Sequence, residues 1–377
     1  MRATTWRCVV GPKEFVAPAT LPGRDAVRHR DSQHPENRCH PDLRSISVGS
    51  LISLCRLCSA QRDAATADRA TSGGRQMKIA VVGSGAMGQL FGARLALGGN
   101  DVSFVDANPQ VVERLNADGI TLDFGTGTTS VVASATTAAD ARGIVDLVMM
   151  FTKGFHTEAA LESIGHLVGK ATFGLTLQNG LGNDVVLEQQ FGSERTLIGM
   201  TDLPADLIRP GLVRTRREGK VAIGGTRGAM VAQGVRETFS AAGFTVAETT
   251  DVRVPIWEKV AFNSALNTIS ALTRQTVGQI GTDGGTRALV ENVVDEVVDV
   301  AHAEGVDIDN DRIMSAVSSA FAHHTDHKTS MLGDIESGRR TEIDNIAGAV
   351  VQRGRDHHVE TPVLDVLCTL VRSTQPS

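Results

Sequence analysis

The chain has 377 residues, of which 41% are hydrophobic and 21% are charged. This length is enough for two domains with buried cores, and the composition is ordinary for a globular protein. The net charge of −6 argues against non-specific nucleic-acid binding, which needs a basic surface. No apolar run approaches the roughly 20 residues that span a bilayer, and the first residues lack the pattern of a secretory signal.

Residues 1–76 differ in composition from the rest, being rich in Arg, Ser, Pro and Cys without helical or strand periodicity. We favour an over-extended start site, and a disordered natural extension is the second interpretation. A metal-binding module is the third, although a single Cys-x-x-Cys lacks the second pair of a zinc finger. Its candidate ligands would be Cys8, Cys39, His40, Cys55 and Cys58. A targeting peptide is a further alternative, against which the scattered acidic residues weigh.

The main body begins at Met77 and contains a single cysteine, Cys368. A disulfide framework is therefore ruled out for it, and we expect a reducing, cytoplasmic environment and no metal site.

From Met77 onwards, predicted strands alternate with helices. The strands are predicted at 78–83, 101–106, 145–152, 171–178 and 196–200, and the first helix at 86–97. Asn108 followed by Pro109 is typical of the start of a second helix. This alternation predicts a doubly wound parallel sheet, which we assign to a Rossmann domain over residues 77–251.

The second part, residues 252–377, is predicted to be an all-helical domain because few strand candidates remain. Helical spacing is present at 254–272, 287–303, 311–328, 342–357 and 362–371.

The segment 83–88 fits the dinucleotide fingerprint G-x-G-x-x-G between a predicted strand and a predicted helix. In such a motif the glycines allow a tight turn and close approach to a pyrophosphate, which the helix N-terminus attracts. The predicted cofactor-binding residues here are Gly83, Ser84, Gly85, Ala86, Met87 and Gly88. Asp106 ends the second strand, where an acidic residue accepts hydrogen bonds from the adenosine ribose and repels a 2′-phosphate. No Arg or Lys follows within 107–110, so this position favours NAD over NADP.

Three polar residues, Lys259, Asn263 and Asn267, recur at i, i+4 and i+8 and therefore share one face of the predicted helix 254–272. Buried Lys and Asn groups are costly unless they are hydrogen-bonded, so the stripe is a solvated strip, a polar seam between domains or a site. Residues 178–182 follow a strand at the sheet's carboxyl edge, where ligands bind in open α/β sheets. Residues 341–344 are predicted to start a helix, with Glu342 and Asp344 at its positive end.

Taken together and in order, these motifs resemble the ketopantoate reductase (2-dehydropantoate 2-reductase) family over residues 77–372. The matching segments are 78–88, 152–153, 178–182, 257–267, 330–332 and 341–348. The resemblance implies a Rossmann domain joined to a helical domain like the C-terminal domain of 6-phosphogluconate dehydrogenase, with a cleft between them. It also implies NADPH-dependent reduction of ketopantoate, a small 2-oxo acid, in pantothenate biosynthesis, and it leaves a homodimer open.

The resemblance also assigns roles to individual residues. Lys259 matches the catalytic lysine that gives a proton to the ketone oxygen, and Glu342 matches a glutamate that binds substrate and supports catalysis. Asn263, Asn267 and Ser330 match residues that hydrogen-bond the substrate. Asn179 matches the asparagine between cofactor and substrate, and Lys153 matches a lysine that contacts the cofactor.

Asp106 departs from the resemblance, because relatives that use NADPH usually carry a basic residue at that position. NAD-dependent relatives act on other 2-oxo acids as D-2-hydroxyacid dehydrogenases, which is the first alternative function. A non-catalytic dinucleotide-binding regulatory protein is the second, and the intact set Lys259, Asn263, Ser330 and Glu342 argues against it.

Overall fold

The computed structural model describes residues 76–226 and 232–375, which belong to one compact unit. Our interpretations of residues 1–76, including the candidate ligands Cys8, Cys39, His40, Cys55 and Cys58, therefore lie outside the described residues, apart from Gln76. None of the helices in the described ranges has the length and hydropathy of a membrane span.

The first part of the described chain is an α/β structure. Its strands are β1 Lys78–Val82, β2 Asp101–Val105, β3 Ile120–Asp123, β4 Thr128–Val131, β5 Ser134–Thr136, β6 Leu147–Met150, β7 Phe173–Thr176, β8 Thr196–Thr201, β9 Ala205–Arg209, β10 Leu212–Thr215, β11 Lys220–Gly225 and β12 Thr245–Val246. Its helices are α1 Ala86–Leu97, α2 Pro109–Asp118, α3 Thr157–Ser163, α4 Asn183–Phe191 and α5 Gln233–Ala241.

Eight strands form the main sheet in the order β12-β11-β8-β7-β6-β1-β2-β5. Neighbours are parallel from β8 to β5, whereas β11 is antiparallel to β8. Strand β6 is buried along its whole length, and separate apolar clusters cover the two faces of the sheet. Burial on both faces explains the unbroken apolar run, and the doubly wound Rossmann architecture is confirmed.

A second sheet, with the order β4-β3-β10-β9, was not predicted. Its strands have only four or five residues each, and alternate residues of β4 are exposed. Such short segments give little periodic signal in the sequence. Their pairing depends on the strands that lie beside them in the fold.

From residue 253 to residue 375, the end of the described range, every regular element is a helix. These helices are α6 Arg253–Thr273, α7 Val277–Thr282, α8 Gly284–Ala303, α9 Asn310–His323, α10 Ser330–Glu336, α11 Ala347–His357 and α12 Pro362–Ser373. A continuous apolar core joins α6, α8, α11 and α12. The predicted helical part is therefore confirmed, although the boundary between residues 251 and 252 stays a prediction.

Two of the predicted helices differ from the observed ones by five residues at one end. Helix α9 ends at His323 rather than at 328, because the backbone carbonyls of Thr325 and His327 accept hydrogen bonds from the first turn of α7. Residues 341–344 do not start a helix, and α11 begins only at Ala347. Glu342 in that segment contacts the α/β part instead, as described below.

Candidate active site

The glycine-rich loop after β1 is shaped by close contacts. Gly83 has a φ of +95°, and a Cβ atom there would lie 2.8 Å from the backbone of both Phe151 and Thr152. A Cβ atom on Gly88 would collide with the carbonyl oxygen of Gly83. By contrast, nothing lies within 4 Å of a Cβ placed on Gly85. Two glycines are therefore required by packing, while the third leaves the space above the loop open to a ligand.

Ser84 lies in the middle of this loop and is 3% exposed. Its backbone N–H donates to Oδ2 of Asp106 at 2.7 Å, which places the acid beside the loop. The Ser84 hydroxyl is buried without a hydrogen-bond partner among the described residues. Helix α1 begins at Ala86, and no side chain caps its first N–H groups. An orphaned hydroxyl beside a free helix N-terminus fits the pyrophosphate of a dinucleotide.

Lys153 and Glu342 connect the loop after β6 with the helical part. The ammonium of Lys153 donates to Glu342 at 3.2 Å and to Asp334 in α10 at 2.9 Å. The second oxygen of Glu342 accepts from the backbone N–H of Gly154 at 3.2 Å. Burial disfavours the charged form of Lys153, but the two carboxylates outweigh it and hold the pKa of this lysine above its usual value.

The turn that carries Glu342 is held in place by its neighbours. The N–H of Leu181 donates to the carbonyl of Asn345 at 2.8 Å, and a Cβ atom on Gly180 would collide with that carbonyl. These contacts explain why residues 341–346 form a turn and not a helical start, and they bring the segment 178–182 against it.

Lys259 projects from α6 towards the end of β8. Its ammonium donates to the backbone carbonyl of Thr201 at 2.7 Å. Burial lowers the pKa of Lys259 to about 8, against the opposing charges of Asp202 and Glu342. Glu342 therefore acts electrostatically on both lysines, although its hydrogen bonds go to Lys153 and Gly154.

The four predicted substrate residues are placed but not linked to one another. Asn263 and Asn267 follow Lys259 by one and two turns of α6, and the first is half-buried while the second is 5% exposed. Ser330 is the exposed first residue of α10, and Asn179 lies half-buried in the loop after β7. Among the described residues, the side chains of Asn263, Asn267 and Ser330 make no hydrogen bond to one another, so their roles stay predictions.

Sequence reasoning missed Asp334 and Thr201. Asp334 is 4% exposed and also contacts Arg339, with 3.1 Å between Oδ1 and Nε. An acid between the apolar residues Leu332 and Ile335 was a usable signal, because a buried carboxylate needs a partner. The carbonyl of Thr201 had no signal at all, since any residue would supply it.

A cavity of about 380 Å³ lies elsewhere, between the loop 180–184, strand β11 and the first turn of α6. Leu181, Trp257 and Arg353 are among its lining residues, whereas Lys259, Glu342 and the glycine-rich loop do not line it. The lysines and the dinucleotide fingerprint, not this cavity, define the candidate active site.

The chain matches two family models, "Ketopantoate reductase PanE/ApbA" over residues 79–228 and "Ketopantoate reductase PanE/ApbA C terminal" over residues 251–375. It is 34% identical over 306 residues to a 2-dehydropantoate 2-reductase of Halobacterium salinarum, which covers 79% of this chain and 99% of that protein. A relative of the same name from Pyrococcus horikoshii is 32% identical over 302 residues, covering 79% and 98%.

Among solved structures, a 2-dehydropantoate 2-reductase from Geobacter metallireducens is similar, with a TM-score of 0.74 and 30% identity over 79% of this chain and 99% of that one. A ternary structure of D-mandelate dehydrogenase with NADH and anilino(oxo)acetate has a TM-score of 0.75 and 29% identity, covering 79% and 98%. The two family models together span most of the described residues. The chain therefore belongs to the ketopantoate reductase family.

Proposed function

We propose that this protein reduces the ketone of a small 2-oxo acid to a 2-hydroxy acid, with 2-dehydropantoate as the substrate. The observation that carries this proposal is the Lys259 ammonium, which is bonded to the carbonyl of Thr201 and whose pKa burial lowers to about 8 against the opposing charge of Glu342. The relatives from Halobacterium salinarum and Pyrococcus horikoshii bear the name of this activity. We choose 2-dehydropantoate as the substrate because the similarity to these two relatives extends over nearly their full length.

A nicotinamide dinucleotide is the cofactor, and when bound it supplies the hydride. The loop residues Gly83–Gly88 would hold its pyrophosphate, where the orphaned Ser84 hydroxyl and the uncapped start of α1 lie. Lys153 would contact the cofactor through its ammonium group, which its two carboxylate partners keep protonated. Asn179, in the loop after β7, would lie between cofactor and substrate.

The proton comes from Lys259 in this proposal. Reduction of a ketone places negative charge on its oxygen, and a positioned ammonium stabilises that charge directly. A lysine with its ordinary pKa near 10.5 is a poor proton donor at neutral pH, and the lowered value brings the group closer to the optimum. Thr201 holds the ammonium through its carbonyl, which leaves two further N–H donors on Lys259 for the substrate.

The remaining polar residues would orient the substrate. Glu342 supports catalysis by binding the substrate and by keeping Lys259 charged. Asn263 and Asn267 offer amide groups along the same face of α6 as Lys259, and Ser330 offers a hydroxyl at the start of α10. Amide and hydroxyl donors of this kind suit the carboxylate of a 2-oxo acid.

NADH is the form of the cofactor that Asp106 favours. Both of its carboxylate oxygens accept backbone N–H groups, from Ser84 at 2.7 Å and from Asn108 at 2.9 Å, which fixes the negative charge at the end of β2. A fixed carboxylate there accepts ribose hydroxyls and repels a 2′-phosphate. This inference runs against the NADPH that the family resemblance implies.

A second candidate function is NAD-dependent D-2-hydroxyacid dehydrogenation with a bulkier 2-oxo acid. Two observations favour it, namely Asp106 and the similarity to a D-mandelate dehydrogenase solved with NADH. Cytoplasmic localisation, a place in pantothenate biosynthesis and a homodimeric state also remain proposals.

The test measures oxidation of NADH and of NADPH with ketopantoate, then with branched and aromatic 2-oxo acids. A kcat/KM that is greatest for ketopantoate supports the leading proposal, and a clear preference for an aromatic acid supports the second. Binding of a dinucleotide without oxidation by any of these acids would favour the non-catalytic regulatory protein.

A further inference from the structure

Gln89 is a buried polar residue to which the proposed function gives no role. It lies in α1, directly after the fingerprint, and none of its surface is exposed. Its amide nitrogen donates to the carbonyl of Ser84 at 2.6 Å, and its amide oxygen accepts from the N–H of Gly211 at 2.9 Å. A buried amide that is bonded at both ends joins these two backbone segments firmly.

At one end of this connection, side chains fix both backbone groups of Ser84. Its N–H is bonded to Asp106 and its carbonyl to Gln89. Only the Ser84 hydroxyl is left, buried and without a partner among the described residues. The orientation of the Ser84 peptide, and with it the start of the turn into α1, therefore depends on Gln89.

At the other end, Gly211 is a rigid anchor in the turn between β9 and β10. Its φ is +85°, and a Cβ atom there would lie 2.8 Å from the carbonyl oxygen of Gly119. The carbonyl of Gly211 accepts from Thr121 in β3 at 2.8 Å. The second, smaller sheet thus supports the glycine-rich loop through one side chain.

We propose that Gln89 is a positioning residue for the dinucleotide, holding Ser84 in the conformation in which its hydroxyl meets the pyrophosphate. A loop that is already ordered loses little conformational entropy when the dinucleotide binds, so the affinity for the dinucleotide is higher. This inference rests on the proposed function, because it requires that residues 83–88 bind a dinucleotide.

Gln89→Met and Gln89→Glu, made in the full chain, separate the two bonds. Methionine is similar in length but forms neither bond, whereas glutamate still accepts from Gly211 and cannot donate to Ser84. We expect both to raise the Kd for NADH about tenfold, because both lose the buried hydrogen bond to Ser84, with kcat at saturating cofactor within about twofold of the wild type. Quenching of NADH fluorescence and steady-state rates measure these quantities.

Leu95→Ala is the matched control, because Leu95 is fully buried in the same helix but lies two turns from the loop. It should lower the Tm without changing the Kd. A Gln89→Met protein with a lower Tm and an unchanged Kd would show that Gln89 only stabilises the fold, and the inference would be overturned.

Ser84→Ala supplies a second measurement that leaves both Gln89 bonds intact. It should raise the Kd by a similar factor. The double variant with Gln89→Met should have a Kd about tenfold above that of the wild type, whereas two independent effects would raise the Kd roughly hundredfold. Independent effects, or an unchanged Kd in Ser84→Ala, would refute the positioning role. A wild-type protein that binds neither NADH nor NADPH would refute the proposed function itself and this inference with it.

Discussion

The proposed role of Lys259 as proton donor can be tested through the pH dependence of the reaction, because only its protonated form could fill that role. Its pKa is lowered from 10.5 to about 8, chiefly by burial. With that value about nine-tenths of the lysine is charged at pH 7 and about one-tenth at pH 9. The rate of reduction should therefore fall about tenfold between these pH values, whereas an unperturbed lysine would lose only a few per cent of its charge.

The assay is kcat/KM for the 2-oxo acid at saturating NADH between pH 6 and pH 10, a profile that reports the pKa of the enzyme before the acid binds. Lys259→Ala should lower kcat by roughly 10²–10⁴. Lys259→Arg is the matched variant, because a guanidinium stays charged throughout this range and the decline should disappear from whatever activity remains. A level profile in the wild type, or an identical decline in Lys259→Ala, would refute the assignment.

Three further predictions address Glu342, Asp106 and the N-terminal segment. Glu342→Gln removes a negative charge that raises the pKa of Lys259, so the decline of kcat/KM should move to lower pH; a profile that stays in place would exclude this coupling. Asp106→Arg should lower the KM for NADPH and raise it for NADH, because it replaces a charge that repels the 2′-phosphate; two unchanged KM values would exclude reading of the ribose. A chain that starts at Met77 should retain its Tm and kcat, because the family models begin at residue 79; loss of either would give the first 76 residues a role in this fold.

Local patterns were sufficient wherever short-range contacts decide the structure. Helix α1 has the predicted bounds, Ala86–Leu97, and Asn108 caps α2 by accepting from the N–H of Gln110 at 3.0 Å with Pro109 at the first position. The spacing of Lys259, Asn263 and Asn267 also placed them correctly along α6. Caps and periodicity involve neighbours within one or two turns, which a single sequence records.

Patterns failed where distant segments compete for the same groups. The acids Glu342 and Asp344 suggested a helix start, but Glu342 instead accepts from Gly154, which lies 188 positions away. Asp344 is drawn to Arg372 at 2.8 Å. A charge-assisted hydrogen bond to a distant donor is stronger than the favourable interaction of an acid with a helix dipole, so the tertiary contact prevails.

The two lysines of the candidate site are perturbed in opposite directions, and this difference separates their roles. The Lys153 ammonium bonds two carboxylates and its pKa is raised, whereas the Lys259 ammonium, among the described residues, bonds a backbone carbonyl and its pKa is lowered to about 8. When neighbouring titratable groups have pKa values pushed apart, the group nearer to neutral pH suits proton transfer, and the other suits binding as a permanent charge. In the proposed mechanism, Lys259 is therefore the group that gives up and regains a proton in each turnover, and Lys153 is the permanent cation. Because the Glu342 carboxylate raises the pKa of both lysines, displacing this single group is expected to lower the pKa of each of them.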